Sequence, residues 1–210
     1  MQRLADLLII APGFIAGLTL HEFSHALAAS RLGDPTARSA GRLTLNPLAH
    51  LDLFGTIALV FVGFGWAKPV PVNPSHLRFP RRDMALIALA GPVANVLLAA
   101  AISLALRFVV FPRIAPELVS TPLTMVLIQA VWINIILAVF NLIPIPPLDG
   151  SRILAGVVPE SWNYGYEHVE RYGPMVLIGL IVLASATGYS VFGRIVSPVA
   201  APLLRLFLGV

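Results

Sequence analysis

Two histidines and a glutamate occur at metal-binding spacing in the segment His21-Glu22-Phe23-Ser24-His25. Residues four positions apart lie on the same face of a helix, so the imidazoles of His21 and His25 can reach one metal ion. Glu22 lies one step around the helix, close enough to act as a base toward a water molecule there. Two histidine ligands with a glutamate base form the zinc site of a large group of hydrolases. A five-residue match also arises by chance, so its surroundings matter.

The surroundings of this segment favour a functional role. It lies inside the apolar run 4–30. A charge at the centre of a bilayer costs at least ~2.5–3.5 kcal/mol, and ionisable residues found there serve a function or pair with one another. The competing interpretation is a polar helix face that packs against Ser, Thr and Asn side chains of neighbouring helices.

A catalytic zinc ion needs a third protein ligand and an open position for water. The chain has no cysteine, so this ligand must be an aspartate, a glutamate or another histidine. Asp149 stands out because it follows two prolines in the stretch IPPLDG at 145–150, and prolines prevent a regular helix. An unwound stretch would let its carboxylate turn inward. Spacing alone instead favours a turn in which Asp149 is the N-cap of a helix that begins near Ser151.

Three asparagines lie within apolar runs, where a buried amide must find hydrogen-bond partners. For Asn134 we expect a role in joining helices. Asn95 and Asn141 allow two interpretations, which are the same joining role or the binding of a peptide backbone near the metal.

The composition is that of an integral membrane protein. Of the 210 residues, 58% are hydrophobic and 11% are charged, and the mean hydropathy is +0.87. Soluble domains carry roughly a quarter charged residues, and disorder requires low hydrophobicity with high charge. The net charge of +4 is then expected to set orientation in a bilayer rather than to bind nucleic acid. We therefore predict contact with the lipid bilayer and no nucleic-acid partner.

The apolar runs predict an all-α polytopic membrane protein with about four to six transmembrane helices. Runs of roughly the length that spans a bilayer occupy 4–30, 84–111, 122–148 and 172–189. The run 53–65 is too short, and 191–210 is either a further span or an interfacial helix. We expect one membrane-embedded domain over 1–210, with its core at about 4–155 and C-terminal helices at about 172–210.

Basic loops predict the topology. The loops 31–51 and 67–82 carry three and four basic residues, whereas 112–121 carries Arg113 offset by Glu117. Basic loops tend to stay cytoplasmic, so the run 53–65 between them should be re-entrant or interfacial. Two membrane crossings then separate the HEFSH segment from Asp149. The HEFSH segment and Asp149 are therefore both expected to lie toward the cytoplasmic side. If 53–65 spanned the membrane, they would lie on opposite sides.

Five motifs in this order resemble the site-2 protease family of intramembrane zinc metallopeptidases, in its compact branch without PDZ or CBS domains. They are HEFSH at 21–25, GRLTLNPLAHLDLFGT at 41–56, GWAKPVPVNP at 65–74, LAGPVANVLLA at 89–99 and FNLIPIPPLDGSRIL at 140–154. The family often carries Asn-Pro-Asp-Gly at the aspartate motif, whereas Pro146-Pro147-Leu148 precede Asp149 here. This variant occurs in the compact branch.

The resemblance implies a three-helix core that holds a zinc ion within the membrane. It implies that His21, His25 and Asp149 are the zinc ligands and that Glu22 is the catalytic base. The implied activity is hydrolysis of a peptide bond in or next to a transmembrane segment of a membrane protein substrate. The implied location is the cell membrane, with the active site toward the cytoplasmic side.

The resemblance also implies roles outside the metal site. Asn95 and Asn141 match positions that engage the substrate backbone, and 36–66 matches a membrane-associated β-strand region after the first core helix. The expected partners also include a regulatory membrane protein or a second copy of this chain, and the sequence does not choose between them. The competing hypotheses are a membrane zinc carrier and an inactive relative that binds helices. The lack of a visible inverted repeat argues against the first, and the intact Glu22 argues against the second.

Overall fold

The computed structural model describes residues 2–62, 65–110, 121–159, 161, 163–187 and 191–209. Eight α-helices lie in these ranges: α1 (Gln2–Arg31), α2 (Thr36–Ser39), α3 (Leu53–Val62), α4 (Pro80–Ala105), α5 (Pro122–Asn141), α6 (Asp149–Val157), α7 (Asn163–Thr187) and α8 (Val191–Leu208). A π-helical turn, Leu106–Val110, continues α4. The predicted all-α class is confirmed for the described residues.

Two helices are long and apolar enough to cross a membrane by length and composition. They are Pro80–Phe108, which comprises α4 and part of its continuation, and Pro122–Asn141, which is α5. A proline opens each helix, where its missing N–H costs no hydrogen bond. The 20 residues of α5 correspond to about 30 Å, the thickness of the apolar part of a bilayer. The larger number of spans expected from the sequence stays a prediction.

The helices α1, α4 and α5 form a bundle in which each packs against the other two. The approach of α1 to α5 is close, because a Cβ at Gly13 would lie 2.6 Å from the Cα of Ala130. The helix α6 packs along α4, and α8 packs against α5. The segment 191–210, which the sequence left open, thus contributes α8 to the apolar core. This core includes Ala99, Val131, Ile135, Leu177, Val196 and Ala200.

The region after α1 contains no β-strand among the residues that the structure describes, so the expected strand region at 36–66 is wrong in that respect. Its regular elements are α2, α3 and a 3₁₀ turn, and its β pairing is one bridge between Leu51 and Ala67. The prolines of the following KPVPVNP stretch lack N–H groups and cannot continue a ladder. Arg42 instead donates hydrogen bonds to the carbonyl groups of Lys68 and Pro69.

The helix α3 agrees with the prediction that the run 53–65 does not span. Its 10 residues correspond to about 15 Å, half the apolar thickness of a bilayer. The residues before and after α3 lie next to each other. The N–H of Lys68 donates to the carbonyl of His50 at 2.8 Å, beside the Leu51–Ala67 bridge. The two basic loops therefore lie on the same side of α3.

A buried carboxylate ties the turn after α1 to the segment before α4. Asp34 accepts hydrogen bonds from the backbone and hydroxyl of Thr36, from the backbone of Asn73 and from the imidazole of His76. Burial favours the neutral acid, but these donors favour the carboxylate more and lower the pKa of Asp34 to about 2. We refer to residues 34–36 and 73–76 as the Asp34 clasp.

Candidate metal centre

The HEFSH segment lies within α1, and its two histidine side chains face α4 and α6. His21, Glu22 and His25 are buried, with 6%, 8% and 7% of their surfaces exposed. The helix places the two imidazole rings edge to face, with their centroids 4.6 Å apart. The spacing of four residues therefore brings the two rings together, as the helical pattern predicts.

Asp149 reaches the histidines from the start of α6. It is the first residue of that helix, and Leu148 is the N-cap, so the turn interpretation placed the helix start two residues late. The Oδ2 atom of Asp149 lies 3.0 Å from Nε2 of His21 and 3.3 Å from Nε2 of His25. All three candidate ligand atoms lie within 4.8 Å of one another. The structure thus joins two motifs that are far apart in the sequence.

Two glycines provide the space that this cluster needs. A Cβ at Gly91 in α4 would lie 2.6 Å from Cε1 of His21 and would also collide with the ring of His25. A Cβ at Gly150 would lie 2.5 Å from the carbonyl oxygen of Ile143. Without Gly91, α4 could not approach the histidines this closely, and without Gly150 the start of α6 could not lie this close to the turn after α5. Gly91 was visible as part of the LAGPVAN motif, but its contact with the rings needed the tertiary structure.

The hydrogen bonds of the two rings determine which nitrogens face Asp149. Nδ1 of His25 lies 2.7 Å from the carbonyl oxygen of Ile87, which only accepts, so this nitrogen carries a proton. Nδ1 of His21 lies 2.6 Å from Oδ1 of Asn95 and donates to it. In neutral rings, both Nε2 atoms therefore present lone pairs to the carboxylate of Asp149.

Three electron-pair donors that face one another need a cation between them. Oδ2 of Asp149 is buried and has no hydrogen-bond partner. Zinc ligands at ~2.0–2.1 Å in tetrahedral geometry lie about 3.3 Å apart, which matches the separations from Asp149 to the two histidines. Two imidazoles and one carboxylate also leave a fourth position open, as catalytic zinc requires. The residues therefore fit a zinc ion.

Glu22 lies beside this ligand set and outside it. Its charge attracts the guanidinium group of Arg42, which is itself 5% exposed. Arg42 also donates to the carbonyl of Pro69 at 3.2 Å, so it links the loop after α3 to the neighbourhood of Glu22. Sequence reasoning counted Arg42 only as a basic loop residue, because nothing in its local pattern indicates a partner.

Asn95 lies in contact with the metal centre but away from any surface. It is fully buried, and its Oδ1 accepts from His21. Its Nδ2 donates to the carbonyl of Gly17 at 3.0 Å and to Oδ1 of Asn134 at 2.8 Å. These bonds occupy both N–H groups of the Asn95 amide, and the role toward a substrate backbone that the resemblance implied stays a prediction. The joining role expected of Asn134 agrees with its position.

Asn141 is the last residue of α5 and is half-buried. Its Nδ2 donates to the carbonyl of Leu137 at 3.0 Å, within the same helix. Its Oδ1 has no hydrogen-bond partner among the described residues. The structure does not bring Asn141 into the ligand cluster, and its expected role toward a substrate stays a prediction.

The chain is similar to known zinc metalloproteases. Residues 110–184 match the model of "Peptidase family M50", a stretch that includes Asp149. The chain is 41% identical over 170 residues to "Putative zinc metalloprotease YwhC" of Bacillus subtilis, which covers 80% of this chain and 77% of that protein. Rip2 of Mycobacterium tuberculosis and MJ0611 of Methanocaldococcus jannaschii carry the same description. The chain is 31% identical to Rip2 over 191 residues, which cover 86% of this chain and 69% of that protein. It is 30% identical to MJ0611 over 158 residues, which cover 75% of this chain and 70% of that protein. No solved structure matches the chain at a significant level.

The geometry and the relatives lead to the same metal. The buried ligand set fits zinc on its chemistry alone, and the similar proteins are described as zinc metalloproteases. The identity to the Bacillus protein extends over more than two thirds of both chains. The chain therefore belongs to peptidase family M50, the site-2 protease family, and is a zinc metalloprotease.

Proposed function

We propose that this protein hydrolyses a peptide bond in or next to a transmembrane segment of a membrane protein substrate. One observation carries the proposal: the zinc ligands on α1 and α6 lie against α4, and α4 and α5 are the two helices that are long and apolar enough to span a bilayer and that pack with α1 in one bundle. A protease whose ligands are buried among such helices meets substrates at membrane depth. A partner with an exposed apolar helix is therefore the substrate class that fits the site.

The chain's own residues supply the chemistry around the metal. His21, His25 and Asp149 would hold the zinc ion. When bound, zinc supplies a Lewis acid that acidifies water and polarises the scissile carbonyl group. Glu22 accepts the proton of the attacking water and then passes it to the leaving amine. Its burial keeps bulk water away from the carboxylate.

A helical substrate hides its carbonyl groups in hydrogen bonds, so it must unwind locally before cleavage. Asn141 is suited to assist, because its Oδ1, which has no hydrogen-bond partner in the described part of the chain, can accept from an N–H group of an unwound strand. Its position at the end of α5, before the turn that leads to Asp149, favours contact with a chain near the centre. A regulatory membrane partner and a second copy of the chain remain compatible with the site.

We further propose a multi-pass protein of the cell membrane, with the active site toward the cytoplasm. The two basic loops support this orientation, because positively charged loops stay on the cytoplasmic side. These loops lie next to each other at the bridge between Leu51 and Ala67. The Asp34 clasp also joins the two loops, because residues 34–36 belong to the first loop and residues 73–76 to the second.

Replacing Glu22 with Gln tests the proposed function. We would reconstitute the wild-type protein and Glu22→Gln into vesicles with single-span reporter proteins tagged at both ends, and follow cleavage and zinc content. We expect the wild type to cut a reporter and Glu22→Gln to lose at least about 100-fold in rate, since general base catalysis contributes about 10²–10⁴-fold. Both proteins should keep their zinc.

Two outcomes would contradict the proposal. Cleavage by Glu22→Gln at the wild-type rate would remove Glu22 from the mechanism. Cleavage of only soluble peptides by the wild type, with every membrane reporter left intact, would make the protein a protease of another substrate class.

A further inference from the structure

We propose that Asn95 and Asn134 form an amide relay that sets the tautomer and orientation of His21 and thereby the zinc affinity of the centre. The relay rests on the zinc site of the proposed function. It crosses three helices, from Asn134 in α5 through Asn95 in α4 to His21 in α1. Both asparagines act through His21, so they are positioning residues rather than substrate-binding or catalytic ones.

Backbone carbonyl groups fix the polarity of the relay. Nδ2 of Asn134 donates to the carbonyl oxygens of Ala130 at 2.8 Å and Gly13 at 3.2 Å, and such oxygens can only accept. Oδ1 of Asn134 must then face Asn95, whose Nδ2 donates to it at 2.8 Å. The same Nδ2 donates to the carbonyl of Gly17, so Oδ1 of Asn95 is left to face His21. Neither amide can flip without placing an N–H group against a donor or a carbonyl against a carbonyl.

Burial makes this arrangement costly to disturb. Asn95 and Asn134 are both 0% exposed, so water cannot replace a lost partner. The helix contact is shaped around them, since a Cβ at Gly17 would collide with the amide of Asn134. An apolar pair of similar volume would pack these helices at least as well. Among the described residues, His21 is the one side chain outside the pair to which the two amides bond, and this favours a role in positioning its ring.

The relay decides between two states of the His21 ring. With Oδ1 of Asn95 accepting from Nδ1, the proton stays on Nδ1 and Nε2 keeps a lone pair for a metal. Without this acceptor, the neutral ring is free to carry its proton on Nε2, only 3.0 Å from Oδ2 of Asp149. A direct hydrogen bond between His21 and Asp149 would then occupy two of the three ligand atoms and compete with zinc.

Zinc affinity and the spectrum of a cobalt-substituted centre test the relay. We would measure zinc binding to the full-length protein by chelator competition and the visible spectrum after loading with Co²⁺ alone. Asn95→Leu should weaken zinc binding about 10–100-fold, the range for lost outer partners of ligating histidines, and should shift the cobalt bands. Asn134→Leu should weaken binding in the same direction by less. Asn95→Asp keeps an acceptor for His21 and should bind zinc more tightly than Asn95→Leu.

Ser103→Ala is the matched control. Ser103 is a buried polar residue of the same helix, α4, and donates to the carbonyl of Phe207, away from the centre. Its replacement should lower thermal stability without changing zinc affinity or the cobalt spectrum. If Asn95→Leu does not fold, Asn134→Leu still decides the question, because zinc binding weaker than that of the wild type supports the relay and equal binding overturns it.

The outcomes separate the relay from the proposed function. Equal zinc affinity in wild type, Asn95→Leu and Asn134→Leu would overturn the relay alone. Equal loss in Asn95→Asp and Asn95→Leu would also overturn it, because the acceptor would then not matter. A folded wild-type protein that binds no zinc would overturn the relay and the proposed function together.

Discussion

At the residue scale, the metal centre depends on two ligand atoms from α1 and one from α6. We expect His25→Ala and Asp149→Ala each to lose bound zinc, because a catalytic zinc site is built from three protein ligands and water replaces a missing one poorly. Zinc per chain in the purified protein measures this, with about one expected for the wild type. His76→Ala is the control, since His76 lies in the Asp34 clasp and should leave zinc bound. Zinc retained by Asp149→Ala would mean that another residue is the third ligand.

Gly91 makes a second prediction at this scale. A methyl group there would meet both imidazole rings, so Gly91→Ala should displace them and lower zinc affinity at least about tenfold. Gly179→Ala in α7 is the matched control, because a Cβ at that glycine meets nothing within 4 Å. Alanine favours helices over glycine, so the control should be neutral or slightly stabilising. Wild-type zinc affinity in Gly91→Ala would contradict this prediction, because it would show that the two imidazole rings can move aside and still bind zinc.

At the scale of elements, the Asp34 clasp holds the turn after α1 against the segment before α4. Asp34→Asn removes the charge that four donor groups share and should lower the free energy of unfolding by about 1–3 kcal/mol at neutral pH. Thermal unfolding in detergent measures this loss. Asp52→Asn is a control of the same chemistry, since the side chain of Asp52 accepts one hydrogen bond among the described residues, from the backbone N–H of Gly55. An equal loss in both variants would contradict a special role for the clasp.

The pH dependence of the same variant follows from the lowered pKa of Asp34. The ordinary value is 3.8 and the folded value is about 2, so the folded protein holds its proton less tightly than the unfolded chain. The stability from the ionised carboxylate is therefore fully present above about pH 4 and is lost as pH falls through about 2. The stability difference between wild type and Asp34→Asn should accordingly be constant near neutrality and shrink below about pH 4. A difference that grows on acidification would refute this assignment.

At the scale of the whole molecule, the topology that we propose places both basic loops on one side of the membrane. The chain has no cysteine, so single cysteines can be introduced without background labelling. Ser39 and Ser75 are exposed on either side of α3 in the sequence, and Leu123 is 67% exposed near the start of α5. We expect an impermeant maleimide to reach Ser39→Cys and Ser75→Cys from the cytoplasmic side and Leu123→Cys from the opposite side. Labelling of Ser39→Cys and Ser75→Cys from different sides would mean that α3 spans.

The sequence by itself determined the local chemistry and the class of the protein. Helical periodicity is enough to place His21 and His25 on one face, because four residues make about one turn. Composition and the lengths of apolar runs predicted helices at α1, α4 and α5, since a bilayer demands long apolar segments. The two-crossing topology placed Asp149 on the side of the histidines. The resemblance of five motifs identified the zinc peptidase family, which the relatives confirm.

Only the tertiary structure decided the contacts between residues that are distant in the sequence. The β-strand expectation for 36–66 was wrong because the prolines of the following stretch, 68–74, cannot donate to a ladder, and Arg42 instead donates to carbonyl groups of that stretch. The sequence left Asn95 between a helix-joining role and a substrate-binding role, and only the packing of three helices shows that its amide lies between His21 and Asn134. Local periodicity reports which face of a helix a residue occupies. Which residue it contacts on that face depends on how the other helices pack, and only the tertiary structure shows this packing.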